Sequence, residues 1–146
     1  MIQYNENPEN KKNKIIKHRC KIKSTYYYIQ IYTNMSIQNK KITFSIKSTI
    51  NNTHFTLYKR VFYYNELLLY NKYFNYFSSF ESIFTNIEQS IIEKKFNITE
   101  NIKCLSLTMK IYIEKLKKYS NITINLNSHT KINQNLSKSN KKKFIN

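Results

Sequence analysis

Residues 64–95, YNELLLYNKYFNYFSSFESIFTNIEQSIIEKK, decide the fold class, because here the apolar side chains recur at helical rather than strand spacing. Leu67, Leu68, Tyr70, Asn71, Phe74 and Phe77 fall three and four residues apart. After a short break Phe80, Ile83, Phe84, Ile87 and Ile91 do the same. Side chains at these intervals share one face of a 3.6-residue helix, so each half carries a stripe that must be covered. Ser78 followed three residues later by Glu81 reads as a capping box opening the second helix. Lys94 and Lys95 stand where positive charge favours a helix C-terminus. The stretch predicts a helical hairpin.

On both sides the period drops to two, the signature of half-buried strands. Over 26–32, Ile29 and Ile31 oppose Tyr28, Gln30 and Tyr32. Over 40–48, Ile42, Phe44 and Ile46 point inward and Lys41, Thr43, Ser45 and Lys47 outward. Residues 54–62 set Phe55, Leu57 and Val61 against Tyr58, Arg60 and Phe62, apolar on both faces as in a central strand. Beyond the hairpin, 96–98 reads as a short extended piece turned by Thr99–Asn101. Residues 103–113 alternate most clearly, with Leu105, Leu107, Met109, Ile111 and Ile113 on one face, and 121–127 follow with Ile122, Ile124 and Leu126. Lys14–Lys23 is either a first edge strand or the end of a tail. The expected fold class is α+β: a small antiparallel β-sheet or sandwich with an inserted helical hairpin. The expected domain spans 24–127, between disordered basic tails at 1–23 and 128–146.

With 146 residues and 40% apolar side chains there is room for one domain with one core. Glycine and tryptophan are absent, and Asn, Ile, Lys, Tyr and Phe dominate, residues that share A/T-rich codons. The formal charge of +17 would ordinarily point to nucleic acid. However, residues 1–24 hold seven Lys/Arg against two Glu, and 127–146 hold five Lys and no acid, so more than half the excess sits in two short ends. Codon bias alone also raises lysine. No apolar run approaches the ~20 residues of a membrane span, and no signal-like segment opens the chain, so the expected setting is intracellular, cytoplasmic rather than nuclear.

Catalytic chemistry has little to draw on. His18, His54 and His129 lie in unrelated segments, Cys20 and Cys104 are far apart without zinc-ligand spacing, and no aspartate occurs. Glu81 and Glu88 stand two helical turns apart, as on a solvated face, and a glycine-free chain has no phosphate-cradling loop. Neither an enzyme, a cofactor nor a bound metal is expected.

VFYYNELLLYNKYF at 61–74 and SSFESIFTNIEQSIIEKKFNITENIKCLSLTMKI at 78–111 resemble a pattern in largely unannotated proteins of A/T-rich protists, where an "EL…NKYF" helix precedes a second helix and a long alternating strand. The resemblance covers roughly 26–126 and implies a non-enzymatic interaction module. The layout is also similar to the head domains of centriolar-cartwheel and end-joining scaffold proteins, which set a helical pair into a β-sandwich. Against an OB barrel stand the second helix and the missing glycines at sharp bends.

Two sets of side chains could carry binding. Phe74, Tyr76, Phe77 and Phe80 crowd the helical turn and could form an exposed apolar patch for a protein partner or a second copy of the chain. Tyr28, Tyr32, Lys41, Lys47, Tyr58 and Arg60 interleave rings and cations, as single-stranded nucleic-acid binders do on a β surface. The expected function is a protein-interaction or assembly module; the alternative is a basic single-strand binder. No membrane partner is expected.

Overall fold

The alternating runs form a single sheet. A computed structural model describes residues 13–36 and 38–129. In chain order the elements are β1 (Ile15–Ile22), β2 (Thr25–Met35), β3 (Lys40–Thr49), β4 (Thr56–Tyr63), α1 (Tyr64–Tyr70), a 3-10 turn (Lys72–Tyr76), α2 (Phe80–Ile92), β5 (Phe96–Glu100), β6 (Cys104–Ile113), a second 3-10 turn (Glu114–Leu116) and β7 (Lys118–Ser128). The strands form one seven-stranded sheet in the order β1-β2-β3-β4-β7-β6-β5, every pair antiparallel. It curls into a half-barrel whose concave face is apolar. The α+β class therefore stands, while the sandwich gives way to a curled sheet. No second sheet forms because β7 joins the edge of β4 and brings β5 and β6 into the same sheet.

Helix α2 fills the concave side. Phe80, Ile83, Phe84, Ile87 and Ile91 are all buried on its inner stripe, opposite Ile29, Ile31, Phe44, Ile46, Leu107 and Ile124 of the strands. Each such side chain contributes roughly 1.5–3 kcal/mol by leaving water. The two sheet edges approach each other through side chains: the His18 ring of β1 meets Phe96 of β5 edge-on, centroids 5.6 Å apart.

The helical hairpin is shorter at its start than its spacing predicts. Helix α1 stops at Tyr70, because Asn71 takes an extended conformation and its side chain accepts from the Tyr73 N–H at 2.9 Å, opening the 3-10 turn. Helix α2 is capped by Ser79, whose Oγ accepts from the Ser82 N–H at 3.0 Å, one residue later than the Ser78 expectation. The carboxylate reaching back to a cap belongs to α1, where Glu66 accepts from the Tyr63 N–H at 2.8 Å. At the other end of α2, Lys94 is left-handed (φ 59°); its N–H donates to the Ile91 carbonyl at 3.0 Å and the Lys95 N–H to the Ser90 carbonyl at 2.8 Å. This paired closure normally uses glycine. Lys23, Asn52 and Lys117 hold the other positive-φ positions among the described residues, each in a turn between strands.

Two expected boundaries and one facing are corrected. Residues 15–22 are a full strand, paired from Ile15↔Tyr32 to Ile22↔Thr25, so the expected boundary at 24 falls inside the sheet. Strand β7 runs on to Ser128, one residue past the expected end at 127. Of the predicted tails at 1–23 and 128–146, residues 1–12 and 130–146 lie outside the described residues. In β4, which its pattern left apolar on both faces, Tyr58 and Phe62 are buried, while Val61 is exposed and Leu57 half-covered, so Tyr58 does not lie on an exposed binding face as the site expectation required. The register explains this, since Tyr58 faces Ile46 and Phe62 faces Ile42, both core residues.

Strands β4 and β7 share only two pairs, Tyr58↔Ser128 and Lys59↔Asn127, before they diverge. Side chains take over where the ladder stops. Arg60 Nη1 donates to the Asn125 carbonyl at 3.1 Å, and the Asn125 N–H donates to the Tyr70 hydroxyl at 3.0 Å. The Arg60 guanidinium lies over the rings of Phe62 (4.7 Å) and Tyr70 (4.9 Å). These contacts satisfy both backbone groups of Asn125 where the ladder stops.

Candidate nucleic-acid interface

Positions that alternate with the core residues on β1–β4 make up the outer face. Their cross-strand rows follow from the register: Lys21–Tyr26–Thr49, Arg19–Tyr28–Lys47–Leu57, Lys17–Gln30–Ser45–Lys59, and Ile15–Tyr32–Thr43–Val61. Residues 13–63 hold ten basic side chains and no acidic one. Of these, Lys17, Arg19, Lys21, Lys41, Lys47 and Lys59 project from this face. Some already lie on aromatic rings, Lys21 Nζ 5.0 Å from the Tyr26 centroid and Lys41 Nζ 5.9 Å from that of Tyr63. Between β1 and β3 the face is hollowed into a groove of about 590 Å³ lined by Lys17, Arg19, Tyr28, Lys47 and Phe55. The Tyr28 and Phe55 rings form two of its walls, centroids 6.0 Å apart and planes inclined at 60°. The Tyr28 hydroxyl donates to Asn52 Oδ1 at 3.1 Å, which fixes the ring.

The residues expected to bind nucleic acid divide accordingly. Tyr28, Tyr32, Lys41 and Lys47 share the outer face. Tyr58 and Arg60 do not: the register of β4 buries Tyr58 at 2% exposure and places Arg60 in the seam, so neither can meet a ligand on the sheet surface. The protein-contact set divides too. Phe74 and Phe80 are in the core, Phe77 is half-buried, and Tyr76 alone of the four is exposed. The crowded aromatics plug the end of the barrel instead of forming a patch. Sequence reading missed Lys17, Arg19 and Lys21, although the alternation of β1, IIKHRCKI, carried the signal.

The inner face holds a second polar constellation, also unanticipated. Glu100, at the end of β5, accepts hydrogen bonds from the Tyr27 hydroxyl (2.9 Å, Oε1), the Ser48 hydroxyl (2.7 Å, Oε2) and the Tyr58 hydroxyl (2.6 Å, Oε2). These donors come from β2, β3 and β4, so one carboxylate ties β5 to three strands across the concave side. Burial, reinforced by the bond to Glu100 and its charge, pushes the Tyr27 hydroxyl up to about 12, and the same causes raise Tyr58. The cluster lies in a cleft of about 1310 Å³ at one mouth of the half-barrel. With three hydroxyls held as donors to one acceptor, it works as a clasp; neither tyrosine is poised to lose its proton near neutrality. Cys20 and Cys104 are free and half-buried, and burial pushes the Cys20 thiol up. Among the described residues no three His, Cys, Asp or Glu converge as a metal site would require, and no helix is long and apolar enough to cross a membrane.

Comparison with protein-family models, with curated proteins and with solved structures gives no match for this chain.

Proposed function

We propose that this chain is a non-enzymatic nucleic-acid-binding protein that takes the phosphate backbone on the outer face of β1–β4. The observation that carries the reading is the segregation of charge: ten cations and no acid over residues 13–63, with six of the cations on one sheet face among tyrosines. Such a field attracts a polyanion, and the rings offer surfaces to bases. The reading is favoured over the protein-contact expectation because Phe74 and Phe80, its central residues, are buried.

The test is oligonucleotide binding by the full chain across a salt series. The triple variant Lys17→Gln/Arg19→Gln/Lys47→Gln is compared with Lys110→Gln/Lys115→Gln/Lys118→Gln, which removes the same charge from β6, β7 and their connection. Removing one cation that neutralises a phosphate should flatten the log-log salt dependence by about 0.7 for a single strand. The first triple should flatten it by about 2, and the second should leave it nearly unchanged. Equal effects from both triples would mean that net charge, and not this face, governs binding. No oligonucleotide binding even at low salt, with capture of a protein or a second copy instead, would overturn the reading.

A further inference from the structure

On a β-strand, side chains two residues apart share a face and stand about 6.6 Å apart. Lys17, Arg19 and Lys21 therefore form a row of cations along the outer face of edge strand β1, at an interval comparable with the phosphate repeat of an extended nucleotide chain. The register sets Tyr28 beside Arg19 and Tyr26 beside Lys21, so a row of rings runs parallel to these cations one strand inward. Lys47 closes the far side of Tyr28. The two rings differ in availability: Lys21 already covers Tyr26, whereas Tyr28 faces the open groove with Phe55 inclined against it.

We infer that a single nucleotide strand runs along β1 and β2, its phosphates on Lys17, Arg19 and Lys21 and one unstacked base laid against the Tyr28 ring in the groove notch, with the inclined Phe55 ring at its edge. This deepens the preceding reading and rests on it. Single strands are selected because a duplex keeps its π-faces stacked inside and offers the notch nothing, whereas every unpaired base has a face to stack.

The decisive measurement compares oligothymidine with an abasic oligodeoxynucleotide of the same length, and with duplex DNA, on the full chain at fixed salt. Oligothymidine should bind at least about fivefold tighter than the abasic strand. Tyr28→Ala should abolish that preference while leaving abasic affinity and salt dependence intact, which shows that the variant is folded. Tyr28→Phe should keep the preference, since it retains the ring. Arg19→Gln should weaken both strands alike and flatten their salt dependence by about 0.7. Equal binding of the two strands, a preference that survives Tyr28→Ala, or tighter binding of duplex would overturn the base notch and leave a charge-only polyanion surface. Absence of binding to any of the three would overturn the preceding reading as well.

Discussion

On the outer face of β1–β4, cross-strand rows read Arg19–Tyr28–Lys47 and Lys21–Tyr26–Thr49; on β6 and β7 they read Ser106–Asn125, Thr108–Thr123, Lys110–Asn121 and Tyr112–Tyr119. The second set carries a single cation and is largely self-satisfied, with the Ser106 hydroxyl donating to Asn125 Oδ1 at 2.6 Å and the Thr108 and Thr123 hydroxyls paired at 2.8 Å. Beneath both lies the same kind of apolar inner face. A compositional bias toward lysine would act along the whole chain, so it would not by itself account for ten cations without an acid over 13–63 and eight cations with six acids over 64–129. The difference between the halves is one of placement: cations gather unopposed on one surface and are largely offset by acids elsewhere.

The comparison fails if the halves are separate folding units. Phe44→Ala in the basic half and Leu107→Ala in the mixed-charge half, both fully buried, should each cost about 3 kcal/mol or more, through lost transfer energy and the cavity left behind. Both variants should retain one urea transition, coincident by tyrosine fluorescence and circular dichroism. Two transitions, or a loss under about 0.5 kcal/mol at either site, would break the picture of one core under two faces.

The Glu100 clasp joins the halves and gives a smaller, pH-dependent effect. Glu100→Ala should cost about 2–3 kcal/mol, because three partly buried hydroxyls lose their acceptor. Tyr27 is raised from an ordinary 10.0 to about 12, so the folded state holds that proton more tightly than the unfolded chain. Its stabilising contribution is complete below about pH 10 and is lost as pH rises through about 12. Urea midpoints followed across that window should fall, and Tyr27→Phe should flatten the fall. An unchanged slope in that variant would assign the loss elsewhere.

The smallest effect sharpens the distinction between the two kinds of lysine. Lys94 and Lys117 occupy left-handed positions where a non-glycine residue is strained by about 1–2 kcal/mol. Lys94→Gly and Lys117→Gly should each stabilise the fold by about 0.5–1 kcal/mol, after glycine's own entropic cost, and should leave oligonucleotide binding unchanged. Weakened binding in either would mean that turn lysines belong to the interface.

The strands with a single apolar face were legible from alternation alone: β2, β3, β6 and β7 face as their patterns predict. So was α2, where five apolar residues mark one face. β4 misled because Leu57 and Val61 are as apolar as Tyr58 and Phe62, and only pairing with β3 decides between them. Placing β4 wrongly put Tyr58 and Arg60 into the candidate surface. β1 looked like a charged tail because an edge strand with cations on its solvent face has few apolar residues to declare it. Glu100 was read as part of a turn; its role depends on Tyr27, Ser48 and Tyr58, which are 42 or more residues away in the chain. An interaction of that range leaves no local periodicity.

The two-rung seam between β4 and β7 has a kinetic consequence. β1 to β4 grow by successive hairpins and β6–β7 closes on a short turn, so each half can assemble from near neighbours in sequence. The seam joins residues some seventy positions apart and offers only Tyr58↔Ser128 and Lys59↔Asn127 in return for closing that loop. Such a pairing forms late, after the entropy of closure has been met. Interactions made after the transition state govern how fast a protein opens rather than how fast it folds. Weakening this seam, where Arg60 and Tyr70 stand in for missing rungs, is therefore expected to speed opening of the half-barrel more than it slows folding.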